Sequence, residues 1–128
     1  MHITPPTELP EYSGPLIERL GDAVFVQRAR VTVGEWTPVA HDCHVNVGEF
    51  CSRCPGYTHL RGWLYFDFGS YALLNANSVV QEPNGKVIDI TPTLAESINP
   101  FIADLSAPEE YDRLIRGGAV RLIHRSAA

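Results

Sequence analysis

Residues 71–91 read YALLNANSVVQEPNGKVIDIT, and the hairpin written in them fixes the fold class. Residues 71–81 read as a strand. Glu82-Pro83-Asn84-Gly85-Lys86 then turns the chain, because proline presets φ at the second turn position and glycine accepts the left-handed position that closes the loop. Residues 87–90 form the return strand. A loop of Pro83, Asn84 and Gly85 sets Glu82 against Lys86, and counting back sets Val79 against Asp89 and Asn77 against Thr91. Side chains alternate across a strand, so Asn77, Val79, Asp89 and Thr91 share one face, with Asn77 and Asp89 on a diagonal of about 6–8 Å at the backbone. Ser78, Val80, Ile88 and Ile90 take the other face, where the three apolar side chains pack a core.

Upstream, residues 62–68 alternate Leu64, Phe66 and Phe68 with Trp63, Tyr65 and Asp67, which predicts the preceding strand. Residues 23–33 alternate in the same way and predict another, closed by Gly34. Between them Asp42 stands as the N-cap of a helix over 43–54, on which Val47, Phe50, Cys51 and Cys54 form one face, and Pro55-Gly56 ends it. Downstream, 93–104 predicts part of a helix broken by Pro100, 109–116 a helix stopped by Gly117-Gly118, and 119–125 a last strand. Residues 1–15 hold Pro5, Pro6, Pro10 and Pro15 and no apolar period, so an extended amino-terminal arm is expected there, followed by a single domain over 16–128. The expected class is α+β: an antiparallel sheet packed against a short helix that carries Cys43 at its N-terminus.

Composition narrows the function. The chain has 128 residues, 45% of them hydrophobic, which suits one ordinary core. Fifteen acidic against ten basic side chains give a net charge of -5 with no basic stripe, so nucleic acid is not an expected partner. No apolar stretch approaches the roughly 20 residues that span a bilayer, and the opening MHITPPTELPEYSGP lacks the regions of a signal peptide. No membrane partner is expected, and the expected location is the reducing cytoplasm. Three cysteines, Cys43, Cys51 and Cys54, are an odd number, so at least one thiol stays outside any disulfide.

A thiol is nucleophilic as the thiolate, and a helix amino terminus favours that anion through its unpaired N–H groups and dipole. Cys43 has such a position, with His41 and His44 beside it and Asn46 in the first turn, where an amide side chain suits a substrate carbonyl. The bland alternative is a small buried hydrophobe, the commoner fate of a free cysteine. For Asp89 it is a solvated outer face.

Cys43-His44-Val45-Asn46, then Gly62-Trp63, then Ser78-Val79-Val80, then Asp89-Ile90-Thr91-Pro92 resemble a family of small bacterial proteins of poorly defined function. Its pattern runs Cys-His-x-Asn, Gly-Trp, His-Ser-Val-Val, Asp-Ile-Thr-Pro, and its order of Cys, His and Asp is similar to the papain and transglutaminase-like arrangement. The resemblance implies a cysteine hydrolase or acyltransferase with Cys43, position 77 and Asp89 as the catalytic set. It implies His44 and Asn46 near a small-molecule or peptide substrate, an amide, ester or thioester, without a cofactor. The sequence departs from the pattern at Asn77, which stands where the family has His and has no nitrogen able to accept a proton. Three readings follow: a non-catalytic relative that binds its ligand, a base supplied by His41, His44 or His59, or an engineered substitution at position 77.

Cys51-x-x-Cys54 with Cys43 and the neighbouring histidines also admits a zinc site, since thiolates and imidazoles are its preferred ligands. Packing is the simpler reading, because Cys51 and Cys54 share the helix face of Val47 and Phe50, and no metal is assigned. The aromatic residues around 63–71 read as core and cross-strand pairs.

Overall fold

A computed structural model describes residues 5–94 and 98–125. Among those residues, eight strands form one mixed, mostly antiparallel sheet, and three α-helices pack against it, which is the α+β class the hairpin implied. At its centre are β4 (Thr58–Asp67) and β5 (Tyr71–Gln81), paired antiparallel along their whole length. The other edge of β4 carries β7 (Pro100–Ala103) and, beyond it, β2 (Val24–Phe25). The other edge of β5 carries two strands in succession: β8 (Arg121–Arg125) along Tyr71 to Asn75, and β6 (Val87–Asp89) along Val80 and Gln81. Two parallel pairs make the sheet mixed, where an antiparallel sheet was expected: β1 (Thr7–Glu8) with β8, and β3 (Gln27–Arg28) with β6. The hairpin register is the one its loop dictates, with Val80 opposite Ile88, Glu82 N–H donating to the Lys86 carbonyl over 2.8 Å, and Gly85 at φ 92°.

Both faces of the sheet are buried. On one, α2 (Cys43–Arg53) presses Val47 and Phe50 onto Val80, Ile88 and Ile90. Beside it α1 (Pro10–Glu18) and α3 (Pro108–Arg116) cover Trp63, Leu74, Ile102 and Leu122. On the other face Val26, Val79 and Phe101 form a smaller cluster, so the face shared by Asn77, Val79 and Asp89 is not a solvated one. Gly62 belongs to this packing, since a Cβ there would meet the Ile102 carbonyl and come within 2.5 Å of the Phe101 ring.

Several segments differ from expectation for identifiable reasons. Residues 1–15 are not an extended arm where described: β1 joins the sheet and α1 begins at Pro10, a first-turn position where the missing N–H costs nothing. Pro15 lies within α1, but buried Leu16, Tyr12 Oη donating to Asp104 (2.6 Å) and the Ser13 Oγ contact with His124 Nδ1 (2.7 Å) outweigh it. The strand expected over 23–33 is two short ones on either side of Val26, because each pairs with a different neighbour. Helix was expected around Pro100, yet 100–103 is strand, with the proline at the first position where no ladder donor is lost; residues 95–97 lie outside the described residues. No helix among the described residues is long and apolar enough to cross a membrane.

Candidate functional site

The site begins with an interruption in the sheet. Between its pairings with β8 and β6, β5 has no strand neighbour at 77–79 on that edge among the described residues. Alternation aims the N–H groups of even-numbered β5 residues out of this edge: Ala76 donates to the Val120 carbonyl (2.8 Å) and Glu82 to Lys86. Ser78 N–H, between them, meets the Cys43 thiol at the start of α2. The helix packs on one face of the sheet, and at this gap its first residue reaches a cavity on the other.

Burial dominates the thiol's chemistry and raises its pKa above the ordinary value. The N–H groups of Ser78, His44 and Cys43 itself pull the other way, while the Asp89 carboxylate adds to the rise. The thiol is therefore protonated at neutral pH. This corrects the expectation of a thiolate at the helix tip: a helix terminus contributes about 0.3–1 kcal/mol, up to about 2 in partly buried settings, less than the cost of desolvating an anion. Asp42 occupies the N-cap position, but its side chain makes no capping bond; its carbonyl accepts Asn46 N–H at 2.9 Å.

The cavity, about 650 Å³, is lined by Cys43, Asn75, Asn77 and Asp89, with apolar walls from Val26, Leu64, Phe66 and Ile98. Arg28, Arg121 and His41 also border it, and His41 is the one imidazole among its lining residues, in a left-handed conformation at φ 64°. Burial raises the Asp89 carboxyl above the usual carboxylate range, partly offset by Thr91 N–H (3.1 Å to Oδ1), Arg28 and Asn77. Asn77 is only 8% exposed; it lies near enough to Asp89 to favour the carboxylate, yet Nδ2 makes no hydrogen bond of acceptable geometry within the protein. Asn75 Oδ1 is buried and unpaired in the same way. Cys43, Asn77 and Asp89, singled out from the sequence, thus border one cavity.

His44 and Asn46 do not line it. His44 Nδ1 contacts Ser78 Oγ at 2.6 Å on the opposite face, and His59 Nε2 contacts the same hydroxyl at 2.8 Å. The hydroxyl has one hydrogen to give, so at least one of the two ring nitrogens donates to its oxygen. Burial lowers the pKa of both rings, that of His59 to about 4, with Arg61 pushing the same way. Asn46, 2% exposed, is a clasp: Oδ1 accepts Val39 N–H (2.9 Å), while Nδ2 donates to the Val39 carbonyl (2.7 Å) and Thr91 Oγ1 (3.1 Å).

Cys51 and Cys54 pack against the Val47 and Phe50 cluster, and no group of three or more potential ligands is gathered for a metal among the described residues. Sequence reasoning missed the Ser78 bridge and Asn75. A signal for Asn75 was present, since two amides two positions apart interrupt an otherwise apolar strand. Set against protein-family models, curated proteins and solved structures, the chain matches none of them.

Proposed function

We propose that the cavity is the active site of a thiol-dependent hydrolase or acyltransferase, with Cys43 as nucleophile toward an amide, ester or thioester. The observation that carries this reading is the shared cavity: Cys43, at the first turn of α2, and the Asp89 carboxylate border it together. The thiol proton passes to Asp89, which burial makes a stronger base than a solvated carboxylate, as Sγ bonds to the substrate carbonyl carbon. The bond to the leaving group then breaks and the leaving group takes the proton. Water or an acceptor nucleophile releases the acyl group and restores the thiol. His44 and His59 are engaged by Ser78, so neither is the base in this scheme.

A second reading, a binding protein without turnover, is favoured by the protonated thiol and by Asn77 at the position of the base. Incubation with p-nitrophenyl acetate, followed by mass mapping, separates the two. Acetyl transfer to Cys43 with continuing release of p-nitrophenol, lost in Cys43→Ala, is expected for the enzyme. No acetyl on Cys43 and no thiol-dependent release leaves binding alone.

A further inference from the structure

We infer that Cys51 and Cys54 form a reversible oxidation site: a low-molecular-weight disulfide, such as oxidised glutathione, converts the two thiols to one bond at the end of α2, and Cys43 stays a thiol. The site is separate from the chemistry proposed for Cys43 and does not depend on it. Both cysteines are free and half-buried, so each keeps part of its surface in solvent. Cys51 lies in the last turn of α2, and Cys54 is the residue after it, its N–H donating to the Phe50 carbonyl at 2.9 Å. Ser52 and Arg53 between them are helical, which sets the two Cα atoms about 5 Å apart, inside the span of about 4.4–6.8 Å that a disulfide bridges. Cys54 has itself left the helix, at φ -120° and ψ 94°, so no further turn fixes its side chain. The two thiols are close enough to act on each other: burial raises the Cys51 pKa, and Cys54 adds to the rise.

Cys43 does not compete for either partner. Eight helical steps separate it from Cys51, about 12 Å along the axis and beyond the reach of a disulfide. Its thiol, buried and protonated, is also slow to attack a disulfide from solution. Helix direction decides what kind of site the pair makes. A Cys-x-x-Cys at a helix N-terminus has its thiolate favoured by the helix, and a stabilised reduced form makes its disulfide a strong oxidant. Here the pair stands at the C-terminus, where the dipole disfavours an anion, so it suits a disulfide kept within the chain over one passed to other proteins. In the reaction one cysteine loses its proton and attacks a sulfur of oxidised glutathione, which gives a mixed disulfide and one glutathione thiolate that takes up a proton. The other cysteine, likewise deprotonated, attacks the protein-side sulfur and expels the second glutathione. Two cysteines are oxidised by two electrons, and one glutathione disulfide is reduced to two thiols.

The sequence supplies its own diagnostic, because trypsin cleaves after Arg53 and so parts residues 31–53, which hold Cys43 and Cys51, from residues 54–61, which hold Cys54. The folded full chain is incubated with oxidised glutathione, quenched with N-ethylmaleimide, digested and weighed. The two peptides should be recovered joined, two hydrogens lighter than their sum, with the maleimide on Cys43, and dithiothreitol should separate them. The joined species should exceed glutathione adducts by about tenfold or more, since the second step is intramolecular. The bond should form equally in Cys43→Ala. In Cys51→Ser, which cannot resolve the mixed disulfide, glutathione should remain on Cys54. Adducts on Cys51 and Cys54 without a cross-link, a cross-link through Cys43, or maleimide on all three cysteines under conditions that oxidise the urea-unfolded chain would each overturn the inference. None of these outcomes bears on acetyl transfer to Cys43, so the two proposals fail separately.

Discussion

Replacing Asn77 with His tests whether position 77 stands between thiol and carboxylate. The side chain is 8% exposed and borders, with Cys43 and Asp89, a cavity of about 650 Å³, which has room for an imidazole. Its amide acts on Asp89, and an imidazole N–H in its place can do the same. A ring at this position gives the protonated thiol an acceptor, and Asp89 fixes its tautomer. General-base assistance is typically worth about 10²–10⁴-fold, or roughly 3–5 kcal/mol of barrier. The assay is mass-mapped iodoacetamide labelling of Cys43 from pH 5 to 9. In the parent protein the rate should rise only on the alkaline side, as burial dictates; in Asn77→His an inflection should appear near the imidazole pKa of about 6.5. Asp89→Asn then serves as the control: in Asn77→His it should remove most of the gain, because the carboxylate no longer fixes the ring's tautomer. An Asn77→His protein whose labelling rate and pH profile match the parent would show that position 77 does not reach the thiol.

Three further outcomes follow from the same structure. Ser78→Ala leaves His44 Nδ1 and His59 Nε2 without their shared hydroxyl, at about 1–3 kcal/mol for each unpaired group, so urea unfolding should show a loss of about 2–4 kcal/mol; a loss below about 1 would mean the bridge contributes little. His59, held neutral with its pKa near 4, makes the unfolded state the stronger proton binder as pH falls through its ordinary 6.5, so stability should decline between about 6.5 and 4 and level off below. The full shift corresponds to about 3 kcal/mol, discounted to about 1–2 for a half-buried ring, and His59→Gln should flatten that part of the curve measured from pH 7 to 4. Gly62→Ala drives a Cβ into the Ile102 carbonyl and the Phe101 ring, so thermal unfolding should report a destabilisation of at least about 3 kcal/mol; a loss under about 1 would mean that β7 yields readily.

The parts of the fold legible in the sequence are those set by neighbours in the chain. The 82–86 loop determines its own register, and that register put Asn77 and Asp89 on one face before any contact was known. Helix α2 begins at Cys43 because its apolar period and the breaker after it are local signals. Contacts far apart in sequence were not legible. Nothing local says that Tyr12 bonds Asp104 or Ser13 bonds His124, and those contacts turn a proline-rich segment into α1. Val24 to Arg28 alternates like one strand, but the partners that divide it, β7 and β6, lie more than 50 residues downstream. The interruption of β5 is of the same kind, since it depends on where β8 stops and β6 starts.

That interruption also sets the state of the thiol. A helix tip in solvent would lower a cysteine pKa, and the sequence shows only the tip. Here the tip is drawn into a gap between strands, where the N–H groups that favour the anion are outweighed by the loss of water around it. A substrate in the cavity excludes further solvent, which weakens the thiolate unless a proton acceptor sits beside it. In the proposed scheme that acceptor is Asp89, whose carboxyl the same burial raises, so Asp89→Asn should abolish acetyl transfer from p-nitrophenyl acetate to Cys43; transfer at the parent's rate would remove Asp89 from the scheme.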